Sequence, residues 1–507
     1  MSKPPTTPAG AMPPRFHRAW LRPEGEGTVD SRKPFIPHGT PGLPDPWVHD
    51  NTEAALRLRE MNHAAKRLAD MTLVSGLAWS DAIGRLRLRG IPPASPLDAF
   101  LDSAPRRAAL EAALARGDIS FSLDATSRSV RANWTDAAFG PPVIGGAAAP
   151  EGWGGIVTGT STPAGVTSSP IRRAAPQAGK PWPLGDDVAA PAAPDAALAR
   201  AVAHFMAASP GVYGLLIASP ERVLFERYGA GGSPDRVTPS WSMNKSMTGS
   251  LIGRMLQLGW LSDVYARAPV PAWRDPRGIH ALITLDDLLR MRSGLALPCF
   301  DGSGETHIGF EGSSVYMDAI DCFAAAQANI VATRPGAVFR YINAGINALG
   351  AILRDRIEVR GLPYHQTLYG LLPDLLGMAS YRMSGDIAGN LVASGSAFAT
   401  LRDWAKLAVL YLQDGVWNGE RLLPEGWVQY ALDACHAGTS YAATFWTNAD
   451  RKFPALPPDA AWLSGASDQR VFILRGAQRV LAVSNESDHP MDLAALNDVL
   501  GCVIATS

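Results

Sequence analysis

Trp241-Ser242-Met243-Asn244-Lys245-Ser246-Met247-Thr248-Gly249 sets a serine and a lysine three residues apart at the opening of what reads as a helix. Residues i and i+3 share one helix face, so the Ser242 hydroxyl falls within reach of the Lys245 amine. A serine hydroxyl is a poor nucleophile until a base takes its proton. A lysine serves as that base when burial or a second cation lowers its pKa. The surroundings suggest burial. Met243, Met247, Leu251 and Met255 form an apolar stripe at i+4 spacing, and Lys245, Gly249 and Gly253 form a second stripe. Ser-x-x-Lys is short enough to arise by chance, and a solvated lysine on a helix end is the plain alternative. Against it, only seven of the 46 basic residues are lysines, and Lys245 alone has a serine three positions before it.

The helix belongs to a region with a clear pattern. Residues 196–208 read as a helix. Val212 to Ile217 and Arg222 to Tyr228 are strand-like runs around Ala218-Ser219-Pro220-Glu221, a hairpin. The Ser242 helix stops at Gly259, a good residue just past a helix end. Residues 260–440 read as mostly helical. Thr284 with Asp287, and Thr400 with Asp403, have the spacing of a capping box or close to it. Val471–Leu474 and Val480–Val483 form a second hairpin, and a helix covers about 491–505. Two distant hairpins can join as one antiparallel sheet, with terminal helices on its faces and the insert as a lobe. A cleft between sheet and lobe is where an active site is expected.

Upstream the signal thins. Residues 1–50 are Pro- and Gly-rich and read as an extended arm. Helical periodicity covers about 52–70 and 97–116. Ile119, Phe121 and Leu123 alternate as a strand, and 140–195 reads as loops with short strands. The division is therefore 1–50 arm, 51–195 N-terminal extension packing on the catalytic unit, and 196–507 catalytic domain with its lobe at about 265–440.

Composition bounds the rest. The 507 residues leave room for two or three domains, and 47% hydrophobic with 18% charged residues describes an ordinary globular protein. A net charge of −1 offers no electrostatic reason to expect nucleic acid or an anionic membrane as partner. Cys299, Cys322, Cys435 and Cys502 are scattered, with no metal-ligand spacing, and fit a reducing compartment. The N-terminus lacks a secretory apolar core, and no run reaches the roughly 18 apolar residues of a membrane span. The default address is cytoplasmic.

Two further stretches carry chemistry. Pro335-Gly336-Ala337-Val338-Phe339-Arg340-Tyr341-Ile342-Asn343 places a phenol and an amide two apart, on one side of an extended segment. A phenol beside an ammonium is held as phenolate or relays protons, and Asn343 is placed to donate to a substrate carbonyl. In Gly465-Ala466-Ser467-Asp468-Gln469, a strand edge would offer backbone N–H groups to an oxyanion. Ser467 and Gln469 are candidate substrate contacts there.

Taken together, the three motifs resemble those of the penicillin-recognising serine hydrolases: class C β-lactamases, DD-peptidases, and related esterases and 6-aminohexanoate-dimer hydrolases. That family runs Ser-x-x-Lys, then Tyr-x-Asn or Tyr-x-Ser, then a Lys-Thr-Gly-like strand. This chain supplies Ser242/Lys245, Tyr341/Asn343 and a degenerate third element. Ile283 to Leu295 and Gly395 to Trp427 resemble segments of the family's helical lobe. The likeness covers about 196–507 and is weaker over 60–195.

The resemblance implies an α/β (α+β), β-lactamase/DD-peptidase-like fold: an antiparallel sheet flanked by helices plus a mostly helical lobe. It implies acyl transfer to Ser242, with Lys245 and Tyr341 as general base and acid. The backbone N–H groups of Ser242 and Ala466 would hold the oxyanion. No cofactor or metal is implied. The expected partner is a small ester or linear amide, and a homodimer is compatible with the reading. β-Lactamase or D-aminopeptidase activity, and a non-catalytic acyl-ligand binder, are the alternatives. Penicillin-directed members place a cation in the third motif to receive a substrate carboxylate. Here there is none, and Asp468 stands where the pattern of amide- and ester-cleaving relatives has glycine, which could disturb the loop or refuse anions. An α/β-hydrolase is disfavoured, because no Gly-x-Ser-x-Gly elbow occurs.

Overall fold

The computed structural model describes residues 53–89, 104–136, 140–159, 170–173, 180–185, 187–189, 195–300, 306–309, 320–433, 439–485 and 489–505. The arm at 1–50 and the first residues of the helix expected at 97–116 lie outside them. That helix is described over Ala104–Arg116.

The two hairpins do join. In chain order the main sheet uses β1 (Val212–Ala218), β2 (Val223–Tyr228), β3 (Trp446–Thr447), β4 (Ala461–Gly465), β5 (Gln469–Leu474) and β6 (Arg479–Asn485). Its spatial order is β3-β4-β5-β6-β1-β2, antiparallel throughout. The seam is β6 on β1, where Leu481 faces Ile217 and Val483 faces Leu215.

Both faces of this sheet are covered, so its inner strands read as unbroken apolar runs rather than alternating ones. Leu215, Ile217, Phe472, Leu481 and Val483 point to one face. There they meet Val202 and Phe205 of α2 (Ala196–Ala208) and Leu496, Val499 and Leu500 of α6 (Leu493–Ala505). Leu216, Val471, Ile473, Val480 and Ala482 point the other way. They join the larger core with α3 (Asn244–Gln257), α4 (Asn343–Glu358) and α5 (Leu401–Leu412). Each fully buried Leu or Phe is worth about 1.5–3 kcal/mol, so the sandwich of sheet between helices is the dominant stabilising block.

The regular elements of the lobe are mainly helices, joined by long irregular stretches. Thr284 and Asp287 form a true capping box at the start of Leu285–Leu289, and the Thr400 hydroxyl accepts from Asp403 N at the start of α5. Each such cap is worth about 1 kcal/mol.

Ahead of the main sheet in the chain, α1 (Glu53–Ala69) lies across a four-stranded antiparallel sheet made of Ile119–Asp124, Ser129–Trp134, Val143–Ala148 and Ile156–Val157. Met61, Ala65 and Leu68 pack on Val130, Ala132 and Ala147. Gly145 lets the helix come close, because a Cβ there would lie 2.3 Å from Asn62 N. This unit touches the body through Gly154 N, which donates to Met383 O (2.8 Å), and Trp182 Nε1, which donates to Ser219 O (3.1 Å). Among the described residues, no helix is long and apolar enough to cross a membrane.

Candidate active site

Ser242 sits in a single 3₁₀ turn, Trp241–Met243, that runs directly into α3. Lys245 follows in the first turn of α3 and is 1% exposed. The turn is entered through Trp241 at φ +47°, a left-handed conformation that a non-glycine residue holds only under constraint. The helix is pressed against its neighbours along its glycine stripe. A Cβ on Gly249 would lie 2.2 Å from Thr444 Oγ1, and one on Gly253 would lie 2.6 Å from the Trp427 ring.

The Lys245 amine meets Ser242 Oγ at 2.9 Å, Asn343 Oδ1 at 2.8 Å and the Ser394 carbonyl at 2.5 Å. Tyr341 completes the group. Its phenol hydrogen-bonds with the Ser242 hydroxyl, and Lys245 Nζ lies 5.0 Å from the centre of its ring. Ile342 is extended and Asn343 opens α4, so the Tyr-x-Asn pair straddles a helix start. Burial pushes the Tyr341 phenol up to about 12, an effect the Ser242 hydrogen bond partly offsets. The phenol is therefore neutral at ordinary pH. Of the two states open to it in the sequence, the site disfavours the phenolate. Tyr441 and Trp446 wall its ring, with centroids 5.7 and 5.8 Å away.

Asn343 keeps one donor in hand. Its Oδ1 is spent on Lys245, while its Nδ2 is buried with no hydrogen-bond partner among the described residues. Such an orphan is costly unless something later accepts from it.

The third motif is a tight turn. Gly465 ends β4, Gln469 begins β5, and Ala466, Ser467 and Asp468 bridge them, with Ser467 and Asp468 both at φ +59°. The strand Ala461–Gly465 has no alternation and was not visible in the sequence. Gly465 abuts the segment that leads into Ser242, since a Cβ there would lie 2.1 Å from Ser240 O. That contact brings Ala466 to the edge of the Ser242 turn. Ser467 is half-buried, and its carbonyl accepts from Gln469 Nε2 (3.1 Å).

Two expectations change here. Gln469 does not present its amide to a ligand. It is fully buried, donating to Asn485 O (2.6 Å) and accepting from Asn485 N (3.3 Å), so it ties β5 to β6. Asp468 does not confront a substrate with a bare charge. It pairs with Arg470 at 2.8 Å and accepts from Met491 N at 3.2 Å.

One wall of the site carries no motif. Segment 392–397 runs beside the start of α3 and spends its backbone on it. Val392 and Ala393 carbonyls accept from Asn244 Nδ2, the Ala393 carbonyl also takes Thr248 Oγ1, and the Ser394 carbonyl takes Lys245. Ala397 exchanges hydrogen bonds with Ser240 in both directions. Asn347, one turn after Asn343 on the same face, accepts from Ser394 N at 3.1 Å. The i+4 spacing of the two asparagines is the one signal in the sequence that could have flagged this wall. Among the described residues, no three His, Cys, Asp or Glu side chains gather as a metal site.

The family model described as Beta-lactamase matches residues 198–498. The chain belongs to that family. It is a Beta-lactamase-family hydrolase whose matched part holds Ser242, Lys245, Tyr341 and the third-motif turn. No curated protein matches it in sequence. Among solved structures it is similar to a penicillin-binding protein homologue from Caulobacter crescentus, at 16% identity over 63% of this chain and 99% of that one (TM-score 0.49). It is also similar to a putative 6-aminohexanoate-dimer hydrolase from Bacillus anthracis, at 19% identity over 59% of this chain and 79% of that one (TM-score 0.48). A family VIII carboxylesterase matches at 16% identity over 62% and 98% of the two chains (TM-score 0.46).

Proposed function

We propose that this Beta-lactamase-family hydrolase cleaves a small carboxylic ester or linear amide through an acyl-enzyme on Ser242. The reading rests on one observation: the Ser242 hydroxyl is shared between the Lys245 amine, 2.9 Å away, and the Tyr341 phenol.

Burial favours the neutral form of any amine. In the reacting form the Ser242 hydroxyl donates to a neutral Lys245 and passes it the proton as Oγ attacks the substrate carbonyl carbon. The N–H groups of Ser242 and Ala466 receive the developing oxyanion. The neutral Tyr341 delivers a proton to the departing alkoxide or amine, as the tetrahedral intermediate collapses to the acyl-serine, and the Lys245 ammonium returns its proton to the phenolate, so that base and acid are both restored. Water then repeats the sequence and releases the acid. The orphaned Nδ2 of Asn343 supports a role in donating to a substrate carbonyl. A neutral ester or amide is favoured over a β-lactam because the third motif carries no free cation, its Arg470 being paired to Asp468.

The test is a panel of p-nitrophenyl esters, small amides and nitrocefin, run with intact-mass detection of a fluorophosphonate adduct. Ester or amide turnover with one adduct on Ser242 is the expected result. A chain that hydrolyses nothing on the panel and takes no label ends the proposal.

A further inference from the structure

The family match begins at residue 198, yet a side chain from α1, far outside it, reaches the wall of the site. Lys66 is buried, and its amine donates to Asp70 Oδ2 (2.7 Å), Ser396 Oγ (3.0 Å) and Ser384 Oγ (3.3 Å). An ammonium has three donors, and these contacts use all three. The serines are also joined to each other, Oγ to Oγ at 3.0 Å and Ser384 N to Ser396 O at 2.8 Å. Asp70 is held in turn by Gly155 N at 2.9 Å.

Ser396 is the end of a lever. It sits at φ +58°, a left-handed serine two residues after the carbonyl that holds Lys245 and one before the residue that brackets Ser240. A backbone in that conformation persists only where its surroundings impose it. Lys66 and Ser384 are the two side chains that bind its hydroxyl. Asp70, Ser396 and Trp241 also line one pocket, so the clamp opens onto the residue that precedes Ser242.

We infer that Lys66 is a positioning residue for the hydrolytic site: by pinning Ser384 and Ser396 it fixes segment 392–397, and through the Ser394 carbonyl it sets the place of Lys245. The N-terminal unit is then part of the working enzyme. This inference rests on the acyl-serine reading above.

The test uses the full chain and compares the fluorophosphonate labelling rate, ester kcat and KM, and the acid limb of rate against pH in wild type, Lys66→Met and Ser396→Ala. Lys66→Met keeps the aliphatic stem and removes the amine. The expected result is a fall in labelling rate and kcat on the order of 10²-fold, with KM little changed. The acid limb should shift, because the Ser394 carbonyl that accepts from the Lys245 amine is no longer held in place. Ser396→Ala should fall in the same direction by a smaller factor. A role confined to stability would lower the melting temperature and leave the limb in place. Should Lys66→Met fail to fold, the decision passes to Ser396→Ala and Ser384→Ala, which remove only the hydroxyls that Lys66 binds. Unchanged rate and limb in the folded variants overturn the inference alone. A wild-type chain that takes no label overturns the hydrolase reading and this inference with it.

Discussion

Lys245 and Lys406 occupy matching positions in different parts of the molecule. Each lies in a helix, each is essentially unexposed, and each bonds a polar side chain three residues earlier. At Lys406 that side chain is Asp403, 2.9 Å away, and the Gly377 carbonyl adds a second contact at 2.8 Å. At Lys245 it is the Ser242 hydroxyl, joined by an amide oxygen and a backbone carbonyl. A carboxylate makes an ion pair that serves packing. A hydroxyl makes a pair between which a proton can move. Burial of a lysine therefore says little by itself about chemistry, and the identity of the partner one turn away says most.

The sharpest way to break this contrast is Ser242→Ala. Turnover and labelling should fall by at least ~10⁴-fold, with melting temperature and circular dichroism close to wild type. Activity near the wild-type level would put the chemistry elsewhere. Tyr341→Phe comes next. Acylation should slow by about 10²–10⁴-fold, measured as the pre-steady-state rate on a p-nitrophenyl ester, and an unaltered rate would remove the phenol from the proton path. Lys406→Met should do the reverse of both. It strands Asp403 in the core at a cost of roughly 3–5 kcal/mol, read as a lower denaturant midpoint, while the labelling rate per folded molecule stays unchanged.

The smallest effect is alkaline. Tyr341 titrates at about 12 in the folded chain and near 10 when unfolded. Below pH 10 both states keep the proton and the contribution is whole. From 10 to 12 the unfolded chain loses its proton first, so stability declines, and the contribution is gone above 12. Tyr341→Phe should make the fall of urea midpoints with pH in that window less steep, while other buried tyrosines such as Tyr411 keep part of the slope.

What could be read ahead of the structure was local. Ser242 with Lys245, Tyr341 with Asn343, and Thr284 with Asp287 are each confined to a few residues, and short-range geometry places them. The hairpins were visible because turn residues interrupt apolar runs. That the two hairpins can join as one antiparallel sheet was open to the sequence, whereas the seam of β6 on β1 came from the structure. The Lys66 clamp was hidden, because its serines lie 318 and 330 residues away. Gln469 was misjudged because two successive left-handed residues redirect the chain just before it, turning its amide inward. Segment 392–397 acts through backbone carbonyls, which every residue possesses, so no side-chain pattern marks it.

The glycine stripe of α3 has a thermal consequence. With Gly249 against Thr444 and Gly253 against the Trp427 indole, the helix has no clearance to rotate or slide while its surroundings stay packed. Ser242 and Lys245 should then keep their spacing during warming until the whole core gives way. Residual activity and folded fraction should descend along a single curve, with no inactive yet compact species preceding it.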